Sequence, residues 1–164
     1  MKVRIVCDGA VSGNGKAQSW GGYAAILSDQ AGHELVVTGS ELQTTNNRME
    51  LMACIKALDR IVKTPLTLEI VSDSQYLIST FKEGWIKSWI ENGLEGRING
   101  DLWQTLYKQV LRLQHAGCSF IWTHIRGHVK TNRTALHDVQ DRCDVLAKAE
   151  VKKLKDLDES PLPF

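Results

Sequence analysis

The stretch TTNNRMELMA, residues 44–53, is the part of the chain from which the fold can be worked out. From Arg48 onward, apolar residues recur at intervals of three and four, as they do along the buried face of a helix. These residues are Leu51, Ile55, Leu58 and Val62. Asn47 precedes them and is a favourable N-cap, because its side chain can accept a hydrogen bond from the first turn. The sequence therefore predicts a central helix over residues 48–62, with Glu50 in its first turn.

Short apolar segments on both sides of this helix predict the strands of a sheet. Before it, residues 3–7 form a β-branched run that ends at Asp8-Gly9, and residues 23–27 and 34–38 form two strands joined across a turn. After it, two further strands are predicted at residues 66–71 and 118–123. Helical patterns are predicted at residues 75–81, 85–89, 102–113 and 139–147. The resulting order, written βββαβαβα, indicates a mixed α/β domain with helices packed on the faces of the sheet.

Length and composition favour one globular domain. The chain has 164 residues, of which 43% are hydrophobic, enough for one substantial core but short of two ordinary domains. We expect a folded domain over residues 1–155 and a flexible tail over residues 156–164. The four cysteines are widely separated, so they predict buried thiols in a reducing compartment. An acid interrupts the first apolar segment and no later segment could span a bilayer, so we expect a cytoplasmic protein without membrane contact.

The net charge leaves the function open. It is +1 at pH 7, whereas nucleic-acid-binding domains commonly carry a clear basic excess. If carboxylates bind divalent cations, however, their negative charge is offset and the remaining surface is basic. Nothing in the composition marks an obligate interface, and a monomer is the simplest expectation.

Four carboxylates could meet at one edge of the predicted sheet. Asp8 and Asp73 each follow a buried strand, Glu50 lies at the start of the central helix, and Asp144 lies on the last helix. Like charges at close range repel, so such a cluster is unfavourable without cations. Oxygen ligands of this kind suit Mg²⁺ or Mn²⁺.

Each candidate taken alone also has a structural explanation. Asp8 can shape a turn with the glycine after it, Glu50 can complete a capping box, and Asp73 can cap the helix that follows. Asp144 can belong to a solvated helix face, and His128 to an exposed polar loop. Position alone therefore leaves both interpretations open.

Residues 44–53 closely resemble the central-helix signature of the bacterial type 1 ribonucleases H. Further motifs agree with that family in order and spacing, so that the resemblance covers residues 3–150. They are Asp8-Gly9, Gly21-Gly22-Tyr23-Ala24, Ser72-Asp73-Ser74-Gln75-Tyr76, Asp101-Leu102-Trp103, Gly127-His128 and Arg142-Cys143-Asp144-Val145-Leu146-Ala147. The resemblance implies a ribonuclease H-like fold with a five-stranded mixed sheet. It also implies that Asp8, Glu50, Asp73 and Asp144 are the metal ligands.

By the same resemblance, the chain is an endonuclease that hydrolyses the RNA strand of an RNA–DNA hybrid with two Mg²⁺ ions, for which Mn²⁺ can substitute. One ion would activate water and the other would stabilise the leaving 3′-oxygen, giving 5′-phosphate and 3′-hydroxyl ends. His128 matches the loop histidine of the family and would assist proton movement or product release. The implied cellular roles are primer removal and R-loop resolution.

The residues that match substrate contacts of the family carry short amides, a hydroxyl, a guanidinium and two indoles. They are Asn14, Thr45, Asn46, Asn47, Arg48, Gln75, Trp85 and Trp89. By the resemblance, Asn14, Asn47 and Gln75 would lie along the minor groove, where the 2′-hydroxyl distinguishes RNA from DNA. Thr45, Asn14 and Arg48 would contact backbone phosphates, and the indoles would pack against deoxyribose. The alternatives are turn or cap roles for Asn46 and Asn47, a surface charge for Arg48, and core positions for Trp85 and Trp89.

The sequence departs from the family pattern in three loops and at its end. The loop at residues 15–20 is longer, the protrusion at residues 85–100 is less basic, and 15 residues separate His128 from Asp144. Residues 156–164 lie outside the resemblance and are acidic, with a Pro-Phe ending. They resemble the partner-binding tails of bacterial single-stranded DNA-binding proteins and, loosely, a sliding-clamp peptide, which predicts a replication partner.

Two other functions stay open. A catalytically silent hybrid-binding module would retain the sheet and the amides, and the presence of all four acids argues against it. A DNA nuclease of the wider ribonuclease H-like superfamily is disfavoured by residues 44–50 and Gln75, because they match the branch that reads ribose.

Overall fold

The computed structural model describes residues 1–160, which form one sheet and five helices. The strands are β1 (Lys2–Ser12), β2 (Trp20–Asp29), β3 (Glu34–Leu42), β4 (Thr67–Ser72) and β5 (Ser119–His124). Their order across the sheet is β3-β2-β1-β4-β5. The first three strands pair antiparallel, whereas β4 is parallel to both of its neighbours. The expected five-stranded mixed sheet is therefore confirmed.

The helices divide between the two faces of the sheet. They are α1 (Asn46–Leu58), α2 (Gln75–Lys82), α3 (Trp85–Glu91), α4 (Gly100–His115) and α5 (Ala135–Glu159). Helices α1 to α4 share the larger core with one face, and α5 covers the other face through Cys143 and Ala147. Three helices thus lie between β4 and β5, at the three helical patterns predicted there, although the order βββαβαβα counts them as one. No helix within residues 1–160 is long and apolar enough to cross a membrane.

The predicted thiols are all buried and free. They are Cys7, Cys54, Cys118 and Cys143. The first three lie in the larger core, and Cys143 lies on the buried face of α5, where its Sγ is 3.3 Å from the carbonyl oxygen of Val6. They act as small core side chains in this fold.

Helix α1 is displaced from its predicted range. Its N-cap is Thr45, whose hydroxyl accepts a hydrogen bond from the Arg48 nitrogen at 3.3 Å, so the prediction of Asn47 as the cap is wrong. The helix ends at Leu58, and the backbone then turns. As a result Val62 does not continue the apolar face; its side chain is 83% exposed, while Ile61 fills the core.

Strand β1 continues past Asp8, where a turn was expected. It pairs with β2 through Ser12, so Asp8 lies inside the strand. The glycine that suggested a turn serves a packing purpose instead. A β-carbon on Gly9 would lie 2.7 Å from the β-carbon of Met49, so only glycine allows α1 to approach the strand this closely.

The C-terminal boundary also differs from the expectation. Helix α5 runs through Glu159, so residues 156–159 are helical, in contrast to the predicted flexible tail from residue 156. The indole nitrogen of Trp20 donates a hydrogen bond of 2.7 Å to Asp158, and the Lys155 ammonium lies 5.0 Å from the centroid of the same indole. These contacts tie the end of the helix to the start of β2. Residues 161–164 of the predicted tail lie outside the described residues.

Candidate active site

Two of the predicted acids are placed by parallel strand pairing. Val6 of β1 is the partner of Val71 of β4. Asp8 lies two residues after Val6, and Asp73 lies two residues after Val71. Both carboxylates therefore lie at the same end of the paired region, as the strand-end argument predicted.

Glu50 reaches the same place from the helix packed on this face. The close approach over Gly9 brings the first turn of α1 against β1, and the Glu50 side chain points inward, only 4% exposed. Thr45 caps the helix, so the capping-box explanation for Glu50 is wrong. Each of Asp8, Glu50 and Asp73 offers an oxygen within 4.8 Å of the others.

Burial and mutual repulsion raise the pKa values of all three carboxyl groups. Desolvation, with the Asp73 charge second, raises the pKa of Asp8 to about 7, although the Gly9 nitrogen donates to its Oδ1 at 2.9 Å. Desolvation and the neighbouring Asp8 raise the pKa of Glu50 well above its ordinary value. Burial likewise raises the pKa of Asp73, against a lowering influence of His128. Three such acids cannot all be charged at low cost without a positive partner.

The donor set fits a hard divalent cation. Glu50 Oε2 is buried and has no hydrogen-bond partner within residues 1–160, although a buried carboxylate oxygen normally has one. The ligand atoms are all carboxylate oxygens, and the group contains no sulfur or imidazole. This chemistry suits Mg²⁺ or Mn²⁺ better than zinc.

Asp144 lies beside the triad of acids. It lines the same cleft, and its charge contributes to the raised pKa values of Asp8 and Asp73. Its Oδ2, however, is 2.9 Å from the ammonium of Lys148, one helical turn further along α5. The structure thus brings three of the four predicted acids into one group and places the fourth at its rim, paired with a lysine.

His128 borders the cleft from the loop between β5 and α5. Its backbone is left-handed, with φ of 54°, and its side chain is exposed. The preceding Gly127 packs directly on a carboxylate oxygen of Asp73, where a β-carbon would collide. A residue without a side chain therefore lets this loop pass over the acids and carry the imidazole to their edge.

The acids open into a cleft of about 550 Å³. Three predicted amide residues, Asn46, Asn47 and Gln75, line it, whereas Asn14 and Thr45 are not among its lining residues. The Asn14 side-chain oxygen accepts a 3.0 Å hydrogen bond from the Asn46 backbone nitrogen and so holds the start of α1. The structure therefore places three amides in the lining of the cleft and gives Asn14 and Thr45 local contacts with the helix start.

Arg48 and the two tryptophans have distinct surroundings. Both terminal nitrogens of Arg48 bond to the carboxylate of Asp101, at 3.0 and 3.1 Å. Trp85 is 49% exposed, whereas Trp89 packs edge-on against Trp103, with the Arg97 guanidinium 3.9 Å from its ring centroid. Trp85 is thus available to a ligand, and the core alternative applies to Trp89.

The cleft also contains residues that the sequence reasoning did not assign to it. They are Ala10, Val11, Ser74, Tyr76 and Lys148. Lys148 lies four residues after Asp144 and Tyr76 follows Gln75, so helical spacing and the matched motif were the signals that could have identified them.

The sequence comparisons agree on one family. The family model for RNase H matches residues 1–152. A protein from Pelobacter propionicus named "Ribonuclease H" is 42% identical over 158 residues, covering 93% of this chain and 86% of the relative. A protein of the same name from Acetivibrio thermocellus is 40% identical over 157 residues, covering 93% of this chain and 96% of the relative.

Solved structures share the fold. The crystal structure of LC9-RNase H1, described as a type 1 RNase H with the type 2 active-site motif, has a TM-score of 0.71 and 26% identity, covering 92% of this chain and 72% of that chain. The solution structure of the PFV RNase H domain has a TM-score of 0.70 at 17% identity, covering 93% of this chain and 95% of that domain. At that identity the second likeness concerns the fold alone.

Proposed function

Because the chain belongs to the ribonuclease H family of enzymes, we propose that it hydrolyses the RNA strand of RNA–DNA hybrids by a two-metal-ion mechanism. The observation that carries the proposal is the buried group of Asp8, Glu50 and Asp73, whose oxygens lie within 4.8 Å of one another at the floor of an amide-lined cleft. A silent hybrid-binding module would have no use for this unfavourable set of charges.

The proposed ligands are Asp8, Glu50, Asp73 and Asp144, holding two Mg²⁺ ions, for which Mn²⁺ can substitute. When bound, the ions supply Lewis acidity that activates water and stabilises the leaving oxygen. The burial of Asp8 and Glu50 keeps bulk water from screening this interaction. The Asp144 carboxylate forms an ion pair with Lys148, so this ion pair must break before Asp144 can bind a metal ion.

Hydrolysis adds water at phosphorus and breaks the bond from phosphorus to the 3′-oxygen. The products are a 5′-phosphate and a 3′-hydroxyl. His128 lies at the edge of the cleft in an exposed loop, where it can accept a proton from the attacking water or deliver one to the departing oxygen. We propose that it assists these transfers or product release, and that the four acids contribute more.

Substrate selection is proposed to rest on the amides. Asn46, Asn47 and Gln75 offer donors and acceptors to a minor groove, and the 2′-hydroxyl is the group that marks the RNA strand there. Asn14 and Thr45 are proposed to act at the same edge, where both already hold the start of α1. These contacts read sugars and phosphates, so cleavage is expected to be independent of base sequence.

The remaining predicted contacts differ in the roles that their surroundings support. The exposed Trp85 is proposed to pack against a deoxyribose, whereas Trp89 supports it from the aromatic core. Arg48 is proposed as a binding residue through the order that it gives to the start of α1, because Asp101 already holds both of its terminal nitrogens.

Further proposals concern the cellular role of the protein and the partners of its C-terminal residues. We propose a monomeric cytoplasmic enzyme that removes primers or resolves R-loops, with residues 1–155 as the catalytic unit. We further propose that the end of the chain, residues 156–164, binds a single-stranded DNA-binding protein or a sliding clamp. Pull-down with the full chain and with a chain that lacks residues 156–164 tests this, and equal capture by both would reject it.

The function itself is tested on an end-labelled RNA–DNA hybrid with Mg²⁺. We expect cutting of the RNA strand only, none with EDTA, and none of all-DNA or all-RNA duplexes. Asp8→Asn should abolish cutting, whereas Asp59→Asn, an acid at the C-cap of α1, should retain it. Binding of the hybrid without cutting would support the silent module instead, and cutting of the all-DNA duplex would support the DNA nuclease.

A further inference from the structure

The loop that carries His128 is not tied to the sheet or the helices by its backbone. It runs from the end of β5 to the start of α5, within the segment in which 15 residues separate His128 from Asp144. Within residues 1–160, no backbone–backbone hydrogen bond joins residues 126–133 to a strand or a helix. His128 and Asn132 have left-handed backbone, with φ of 54° and 53°. Such a conformation persists only where surrounding contacts hold it.

The guanidinium of Arg133 joins this loop to helix α5. Its Nη1 donates to the carbonyl oxygen of Val129, the residue after His128, at 2.8 Å. Its Nη2 donates to Oδ1 of Asp138 at 2.8 Å and to Oδ2 of Asp141 at 2.6 Å. Both acids lie in the first two turns of α5. The backbone next to the imidazole is therefore bonded, through one side chain, to the helix that carries the fourth acid of the site.

Helix α5 is a firm base for this contact, because its first turns are fixed to the sheet. Gln140, next to Asp141, is only 3% exposed, and its Nε2 donates to the carbonyl oxygen of Cys7 at 3.1 Å. Cys7 directly precedes Asp8 on β1. The acids that bind Arg133 are thus held in a defined position relative to the strand that carries Asp8.

We propose that Arg133 is a positioning residue that holds the His128 loop with its imidazole at the edge of the cleft. This inference rests on the proposed function, in which His128 assists proton transfer or product release. A single exposed ion pair contributes little, but this guanidinium bonds to two carboxylates and a carbonyl at once, and its side chain is 31% exposed. The contact therefore favours one position of the loop without locking it.

Arginine suits this role because its donors form a planar fork. One terminal nitrogen serves the loop carbonyl and the other serves the two carboxylates. A lysine keeps the positive charge but presents a single ammonium, which does not reproduce the fork. Arg133→Lys should therefore resemble Arg133→Ala if the contact with the loop matters. It should resemble the wild type if the residue only attracts a phosphate of the substrate.

The first test measures kcat and KM on an end-labelled hybrid for Arg133→Ala and Arg133→Lys. The matched control is Arg142→Ala, because Arg142 is an exposed arginine of the same helix whose terminal nitrogens bond to Glu34 on β3. Both Arg133 variants should lower kcat about threefold to fivefold and leave KM within about twofold, since the imidazole spends less time in place. Arg142→Ala should match the wild type.

A double-mutant cycle with His128→Ala tests whether the effect passes through the imidazole. In the His128→Ala background, Arg133→Ala should change kcat by less than about 1.5-fold, because the group that it positions is absent. A residue that only stabilises the fold would lower kcat by the same factor in both backgrounds. Thermal unfolding by circular dichroism checks that each variant is folded.

Hydrogen exchange of the free protein gives a readout that does not depend on cleavage. Mass spectrometry should show that the amides of residues 126–133 exchange about threefold to fivefold faster in Arg133→Ala than in the wild type, because local opening becomes easier. The same amides should exchange at the wild-type rate in Arg142→Ala.

Four results would overturn the inference. They are an unchanged or raised kcat in Arg133→Ala, an equal loss of kcat in the His128→Ala background, a wild-type kcat in Arg133→Lys, and unchanged exchange of the loop. A rise in KM at constant kcat would indicate a phosphate contact and also count against it. Failure of the proposed function is a separate result. The wild-type chain would then leave the hybrid uncut, whereas the exchange comparison would still show whether Arg133 restrains the loop.

Discussion

The backbone nitrogen of Glu50 lies 2.8 Å from the position that a β-carbon would occupy on Gly9. The neighbouring atoms belong to helix backbone and to the β-carbon of Met49, which cannot rotate away. Gly9→Ala should therefore push α1 off the sheet and cost about 2 kcal/mol of unfolding free energy. It should also separate Glu50 from Asp8 and weaken Mg²⁺ binding.

Urea unfolding and magnesium titration check this prediction. Gly15→Ala is the comparison, because Gly15 has left-handed backbone with φ of 78° and no neighbouring atoms within 4 Å of an added β-carbon. It should lose stability through backbone strain alone, about 1 kcal/mol, and keep normal magnesium affinity. Equal magnesium affinity for Gly9→Ala and the wild type would contradict the prediction.

Asp8→Asn should lower the cleavage activity and raise the stability of the metal-free protein. We expect cleavage to fall by about a thousandfold or more, because a metal ligand is lost. In EDTA at neutral pH the variant should nevertheless melt at a higher temperature than the wild type, since it removes one charge from a buried group of three acids. A lower melting temperature in EDTA would show that the acids do not repel one another in the free protein.

The metal-free protein should lose stability as the pH rises toward 7 and beyond. The folded-state pKa of Asp8 is raised from 3.8 to about 7, so the folded chain holds a proton that the unfolded chain releases. Its contribution to stability is full below the unfolded pKa and is lost as the pH rises through the folded pKa. Glu50, whose pKa is also raised, acts in the same direction.

Thermal melts at about pH 5.5 and about pH 8.5, each with EDTA and with excess Mg²⁺, test this behaviour. With EDTA the melting temperature should fall between the two values, and Mg²⁺ should reduce the fall by stabilising the ionised acids. The Asp8→Asn variant should show a smaller fall with EDTA. Stability that rises across this window in EDTA would refute the assignment of raised carboxyl pKa values.

His128→Ala should slow turnover without removing the metal site. We expect kcat to fall about tenfold to a hundredfold, because a proton-transfer group is lost while the acids stay in place. Magnesium affinity measured by calorimetry should match the wild type. His115→Ala, an exposed histidine at the end of α4, should leave both quantities unchanged. A kcat loss as large as that of Asp8→Asn would show that the imidazole contributes more than proposed.

Asp158→Ala should destabilise the domain even though its position was expected to lie in the tail. The variant leaves the indole nitrogen of Trp20 without an acceptor, and Trp20 is only 7% exposed. The expected cost is about 1 kcal/mol in urea unfolding. Asp156→Ala is the comparison, since that residue bonds only to Lys152 in the structure and lies at the surface. Equal stability of the two variants would contradict this role for the helix end.

The local patterns predicted the elements well and their contacts poorly. All five strands and all five helices overlap their predicted ranges, because apolar periodicity is a property of neighbouring residues, although α5 extends beyond its predicted range at both ends. Gly9 was misinterpreted as a turn signal because a glycine needed for close packing has the same sequence appearance as one needed for a turn. Val62 was predicted to belong to the central helix because it fits the apolar spacing, but the helix ends at Leu58.

For the candidate site, too, the sequence predicted which residues take part but not their contacts with distant residues. Asp8, Glu50 and Asp73 could be grouped from strand ends and the family motif, and the structure brings them together. The bidentate pair of Arg48 and Asp101 joins residues 53 positions apart, and no local pattern indicates such a partner. The side chain of Asn99, just before α4, hydrogen-bonds to Arg48 of α1 and to Tyr76 of α2, and these contacts exist only once the three helices have packed together.

The position of Asp8 two residues beyond the doubly paired part of β1 has a consequence for exchange of amide hydrogens. β1 is paired with β4 over Lys2–Val6 and with β2 from Val3 to Ser12, so the amides of the part paired on both sides are expected to exchange only through opening of the whole sheet. The loop with His128 is exposed and should exchange through local opening. Asp8 thus adjoins the part of the sheet that is expected to exchange most slowly, whereas His128 lies in a loop that can open without disturbing that part.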